Sequence, residues 1–201
     1  MRSSITEQSY RAIYRFLDLF SPIDGDCGKL CGAVCCLCST DPEPDTPTGK
    51  GDENADFSMG LYLLPGEDQV YTGDEDWISW GYLEADEYDF PESWHGRVPF
   101  FQCTTAPICP REKRPIQCRT FPLAPHIDED GFLYVIYSRD PLPYECPLIH
   151  SCSVHPLRED FVKATWRVWS HLVRDALIFD LVEQDSMTRL EEGWPVDILY
   201  P

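Results

Sequence analysis

Cys27 to Cys38 reads CGKLCGAVCCLC, five thiols within four helical turns' worth of chain. Such crowding admits three chemistries: a metal centre, a disulfide lattice or a reactive redox site. A disulfide lattice must accommodate the adjacent Cys35 and Cys36. Bonds inside this stretch would close loops of only a few residues, where cross-linking removes little unfolded-state entropy and strain builds easily. A metal explains the same spacing directly. Gathered thiolates repel one another until zinc or an iron-sulfur core supplies compensating charge, and short gaps let neighbouring sulfurs meet without long loop closure.

Five further cysteines lie far downstream: Cys103, Cys109, Cys118, Cys146 and Cys152. The first three sit in CTTAPICPREKRPIQCRTFPLAP, from Cys103 to Pro125, and the fourth in ECPL, from Glu145 to Leu148. Pro110 and Pro147 each follow a cysteine directly, which fixes the outgoing chain and removes a backbone N–H, as at cluster-ligating Cys-Pro junctions. A tetrathiolate site holding zinc or an oxidised four-iron cluster carries a formal charge near about −2. Arg114 and Arg119 can offset it with charge-assisted hydrogen bonds to sulfur or to nearby carbonyls. Cys118, between these arginines, is also where a thiol pKa would be lowered for nucleophilic use, but its place in a ligand-like string favours coordination.

The composition restricts the partners. With 16 Lys and Arg against 35 Asp and Glu, the formal charge is −19, which repels phosphate backbones and anionic headgroups, so no nucleic-acid and no membrane partner is expected. Arg97, Arg111, Lys113, Arg114 and Arg119 form a basic island around the second cysteine group. No charged start with an apolar run and cleavage site opens the chain, and nowhere do about 18 apolar residues run together. The expected location is cytoplasmic, where a reducing environment turns crowded cysteines toward metal.

At 201 residues the chain is expected to form a single domain spanning 1–201. Ser4 to Glu7 has the pattern of a capping box, and Tyr10, Ile13, Tyr14, Leu17 and Phe20 continue it as an N-terminal helix. Residues 41–56 are rich in Pro, Gly and acid, an exposed acidic loop. Gly60–Leu64, Val98–Gln102 and Phe132–Tyr137 are expected strands, with a short helix around Glu75 to Tyr82. Over 157–183, Leu157, Phe161, Ala164, Val168, Leu172, Ala176 and Phe179 keep helical spacing, which predicts one long C-terminal helix. Trp166 and Trp169 belong to its core face. The five histidines lack the paired spacing of a zinc protease or finger, although His150 and His155 flank Cys152.

CGKLCGAVCC, followed by Cys103, Cys109, RPIQCRTFPL and CPL, resembles the YkgJ-like cysteine cluster family, described as zinc- or iron-chelating proteins with a CxxCxxCC signature. The string from Arg114 to Pro122 is its most specific part, and the similarity spans 27–148. The resemblance implies a metal ligand set of Cys27, Cys31, Cys35, Cys36, Cys103, Cys109, Cys118 and Cys146, with Cys38 and Cys152 as extras. This chain departs from the pattern by spacing its first cysteines three residues apart rather than two, which leaves open whether Cys35 or Cys36 faces the metal. One site or two remain compatible with eight candidates.

The expected fold is α+β, a small loop-rich domain. Its N-terminal helix, few short strands and long C-terminal helix surround a cysteine metal centre. The expected function is metal binding, by an iron-sulfur cluster or zinc. The resemblance also reaches flagellin lysine N-methylases, which suggests a protein-modifying enzyme as one alternative. A structural-zinc interaction module, whose acidic surface takes an unidentified protein partner, is another.

Overall fold

The computed structural model describes residues 2–37, 60–105, 108–139, 141, 144–149 and 155–201. The acidic loop at 41–56, Cys38, His150 and Cys152 lie outside the described residues. The chain is an α+β domain of small antiparallel sheets flanked by N- and C-terminal helices.

Helix α1 spans Glu7–Leu17 and buries Tyr10, Ile13, Tyr14 and Leu17 along one stripe. Its N-cap is Thr6, whose hydroxyl accepts from the Ser9 N–H at 3.2 Å. The capping box expected at Ser4 is not used. The Ser4 N–H and hydroxyl instead donate to Asp175 Oδ2 at 2.5 and 2.8 Å, and Glu7 pairs with Arg11. Two single-turn helices follow, α2 (Gly28–Cys31) and α3 (Val34–Leu37).

The first sheet comprises β1 (Gly60–Tyr62), β2 (Ile78–Glu84) and β3 (Arg97–Cys103), in the order β1-β3-β2. The short helix expected around Glu75 to Tyr82 is therefore largely strand, paired with β3 from Ile78 opposite Cys103 to Glu84 opposite Arg97. Its aromatic and β-branched residues suit a pleated surface, and Glu75 folds back onto the N–H groups of Thr72 and Gly73 before the strand begins. On β3, Val98 and Phe100 join the main core while Phe101 packs with Leu63, Trp77 and Ile78. Cys103, two residues on, packs against that second cluster, as a period of two requires.

After the short helix α4 (Ile116–Thr120), the second sheet runs β4 (Leu123–Ile127), β5 (Leu133–Tyr137) and β6 (Ile198–Tyr200), with β5 central. Edge strand β4 contains Pro125, which a central strand would not tolerate. Its open edge is covered from the C-terminal helix: Ile127 N–H donates to Ser186 Oγ at 2.9 Å, and Arg189 reaches the Pro125 carbonyl.

The expected unbroken helix over 157–183 is two helices, α5 (Glu159–Leu172) and α6 (Ala176–Glu191). Asp175 makes the break by capping α6, accepting from the Leu177 and Ile178 N–H groups. Trp169 is buried, and Trp166 donates from Nε1 to the Leu133 carbonyl, so both serve packing. Among the described residues no helix is long and apolar enough to cross a membrane.

Gly60 sits over the Phe100 ring. A Cβ there would lie 1.8 Å from Phe100 Cζ, inside a buried side chain with little room to yield. Gly60→Ala is expected to cost about 1–3 kcal/mol through overpacking, read from urea unfolding. Asp175 gives a pH signature. Burial alone would raise its pKa, but donors from Ser4, Ser3 and Ile178 outweigh burial and hold the carboxyl below its ordinary value. A depressed folded pKa contributes stability above the unfolded value of about 3.9 and loses it as pH falls through the folded one. The stability gap between wild type and Asp175→Asn should therefore be full near neutral pH and shrink below about pH 4, measured by denaturant unfolding across that range.

Candidate metal centre

Cys27 caps α2, Cys31 ends it, and Cys35 and Cys36 sit on α3. Gly32 and Ala33, between the two turns, have φ of 66° and 59°. These successive left-handed residues reverse the chain within a few ångströms, which brings Cys31 and Cys35 back to a common side. Gly32 adopts that conformation freely, whereas Ala33 holds it at a cost of about 1 kcal/mol or more.

The thiols are not segregated by their order in sequence. Cys27, Cys31 and Cys35 line a cavity of about 20 Å³ together with Cys146, from the second group. The remaining wall is apolar, built from Val34, Phe121, Pro122, Tyr144, Pro147 and Leu148. The Phe121–Pro122 peptide is cis, and the Phe121 ring packs edge-on to Tyr144 at 6.2 Å between centroids. The Ile149 N–H donates to the Cys146 carbonyl at 3.1 Å, and the backbone N–H groups of Leu148 and Ile149 favour the Cys146 thiolate. N–H groups beside a sulfur stabilise its thiolate and tune a bound metal.

The other thiols gather around Arg114. Its Nε donates to Cys109 Sγ at 3.1 Å, and its charge also acts on Cys36 and Cys118. Cys118 in turn lies within electrostatic reach of Cys103, Cys36 and Cys109. Cys103 and Cys109 both pack against the cluster of Leu63, Trp77, Ile78 and Phe101.

Burial pushes the Cys27 thiol up, with Asp26, Cys146 and Cys31 adding to the rise and Arg111 opposing it. Burial also raises Cys146, partly offset by the backbone N–H groups of Leu148 and Ile149. The surface of Cys118 remains open to solvent, yet atoms crowding its sulfur desolvate the thiolate and raise its pKa, and Cys103 and Cys36 add to the effect. In the adjacent pair, the Cys35 thiol donates to Cys36, which lowers Cys36 and raises Cys35, while Arg114 further favours a Cys36 thiolate.

Arg119 is placed differently from Arg114. Its side chain is 4% exposed and pairs with Asp18 at 2.5 Å. It also donates to the carbonyls of Arg114 and Tyr14 and stacks 4.2 Å above the Tyr14 ring. It therefore fixes the turn that carries Arg114 to helix α1, while Arg114 alone of the two is seen bonded to sulfur.

Sequence reasoning missed Glu67, which is fully buried. It accepts from the Tyr14 hydroxyl at 2.6 Å, the Ile116 N–H at 2.7 Å and the Leu64 N–H at 3.1 Å. Tyr14 also meets the Tyr71 hydroxyl at 3.0 Å, and Tyr71 reaches the Lys113 carbonyl at 2.9 Å. Ile116 opens α4, the turn that presents Cys118, so this carboxylate anchors one thiol segment to α1 and β1. Among 35 acidic residues nothing in its spacing sets it apart.

No protein-family model, curated protein or solved structure matches the chain. Among the described residues, moreover, no group of three Cys, His, Asp or Glu side chains could hold a metal ion as placed. The donor chemistry nonetheless fits a soft metal, with eight described thiols, backbone N–H groups that favour one thiolate and a guanidinium bonded to another sulfur. Drawing either set onto a metal requires its sulfurs to move closer together.

Burial pushes the Glu67 carboxyl up, partly offset by its three donors and by Arg119. Glu67→Gln would set an amide NH₂ among N–H and O–H donors and leave one of them unsatisfied. It should lower the unfolding free energy by about 1–3 kcal/mol in urea. Alkylation of Cys118, mapped by mass spectrometry, should also accelerate more than that of Cys27.

Proposed function

We propose that this protein binds a thiophilic metal centre, zinc or an iron-sulfur cluster, through Cys27, Cys31, Cys35, Cys36, Cys103, Cys109, Cys118 and Cys146. The observation that carries this reading is the cavity at which Cys146 meets Cys27, Cys31 and Cys35, residues far apart in sequence. Thiols distributed by chance over a surface do not collect in one apolar-walled recess, and gathered thiolates need a cation. When bound, zinc would crosslink the segments as a closed structural site, whereas an iron-sulfur core would add one-electron redox capacity.

The protein's own contribution is placement and charge. The backbone N–H groups of Leu148 and Ile149 favour the Cys146 thiolate, Arg114 donates to Cys109, and Phe121, Tyr144 and Leu148 keep water from one side of the recess. Free thiols persist as ligands in a reducing compartment, so we place the protein in the cytoplasm. The charge of −19 argues against a nucleic-acid partner.

Protein purified without oxygen and analysed for iron, sulfide and zinc tests the reading. Metal should be present in stoichiometric amount and should fall in Cys146→Ser, and removing it with a chelator should lower the melting temperature. Equal iron and sulfide with broad visible absorbance would assign a cluster, and colourless protein with zinc would assign a structural site. Wild-type protein that holds neither metal after anaerobic purification or reconstitution would refute metal binding.

A further inference from the structure

The eight thiols divide by position rather than by sequence group. The recess takes three from the first group and Cys146 from the second. Around Arg114 the reverse holds: its Nε bonds Cys109, Cys103 packs with Cys109 against Leu63, Trp77, Ile78 and Phe101, and Cys36 from the first group lies with Cys118 within reach of the same charge. The division falls between Cys35 and Cys36, adjacent residues on the single turn α3. The Cys35 thiol hydrogen-bonds Cys36, so the two sulfurs touch, yet Cys35 lines the recess whereas Cys36 lies toward Arg114 and Cys118.

We propose that the thiols form two separate four-thiolate metal centres, one on Cys27, Cys31, Cys35 and Cys146 and the other on Cys36, Cys103, Cys109 and Cys118. This deepens the metal-binding reading and rests on it. The Cys35–Cys36 peptide bond is the covalent bridge between the centres. Each centre has its own arginine from the segment Arg111–Arg114. Arg111, held by the Phe20 carbonyl at 3.2 Å, acts on Cys27, and Arg114 donates to Cys109. Two formally dianionic centres joined through adjacent cysteines repel each other, and one guanidinium acting on each reduces that cost. The doubled arginine and the doubled cysteine thus serve the same pair of sites. Both centres take the same chemical class of ligand, a thiophilic metal core that accepts four thiolates.

Cobalt(II) titration of the reduced, metal-free full chain under argon reads the number of tetrahedral thiolate sites directly. The tetrahedral d–d bands and the thiolate-to-cobalt charge-transfer band should rise until two equivalents are bound, with zinc displacing both. If the native metal is iron, the same count appears as two clusters per chain after anaerobic reconstitution. Cys146→Ser and Cys118→Ser should each leave one equivalent with a full four-sulfur spectrum. Arg114→Gln, which removes no ligand and keeps the side chain's length and polarity, should weaken one of the two equivalents at least several-fold and spare the other.

Saturation of wild-type protein at one equivalent, with a four-sulfur spectrum, would overturn the two-centre assignment and leave metal binding standing. So would two full equivalents retained in both serine variants, or equal weakening of both equivalents by Arg114→Gln. A wild-type chain that develops no thiolate-to-cobalt band and reconstitutes no cluster would remove the metal-binding reading itself.

Discussion

A carboxylate with no exposed surface, Glu67, holds together the segments on which the cysteines depend. Burying a charge is expensive unless donors replace the lost water, and Glu67 takes three, from Tyr14, Leu64 and Ile116. Each belongs to a different part of the fold: helix α1, the exit of β1 and the start of α4. Satisfying this one group therefore fixes three backbone segments relative to one another. Tyr71 extends the same network to the Lys113 carbonyl, between the two thiols Cys109 and Cys118. Arg119 closes it by joining Asp18 and the Tyr14 ring to the Arg114 carbonyl. The turn RPIQC is thus held at its start by buried polar groups, alongside the packing of Ile116 in the main core.

The apolar core supplies the frame to which these struts attach. Helices α1, α5 and α6 close over Val98, Phe100 and Ile127 from the two sheets, and Asp175 joins the start of the chain to α6 through Ser3 and Ser4. The eight described cysteines stand at the margin of that core, half-buried or exposed. Their segments α2 and α3 are single turns, too short to be stable on their own. A cation shared among their sulfurs would supply the cohesion that side-chain packing leaves out there.

The sequence exposes elements whose hydrophobic period is regular and hides those held by isolated polar contacts. Helix α1, β3 and β5 lie where their apolar spacing predicts. Helices α5 and α6 merge in the sequence because only three residues interrupt them and apolar spacing continues from Leu172 to Ala176, while the Asp175 cap is one acid among many. Strand β4 is hidden by Pro125, tolerated because β4 is an edge whose open side is covered by Ser186 and Arg189. For the candidate site, spacing and Cys-Pro junctions point to metal-binding thiols, and the eight-residue set is what the family resemblance implies. The exchange of Cys146 and Cys36 between the two gatherings depends on chain reversal at Gly32 and Ala33 and on long-range folding, which no local pattern records.

That exchange has a consequence for how the molecule is made. Neither gathering can be completed by the amino-terminal cysteines alone, because each draws on thiols that leave the ribosome much later. A nascent chain carrying only Cys27 to Cys36 has soft ligands but no finished pocket, and long loops must close before the remaining sulfurs arrive. Loading on this reading is a late event, coupled to the closure of the whole domain. With metal bound as proposed, the interleaving of the thiols would make its acquisition report on the completion of folding, and an abandoned or truncated chain would retain no stable centre.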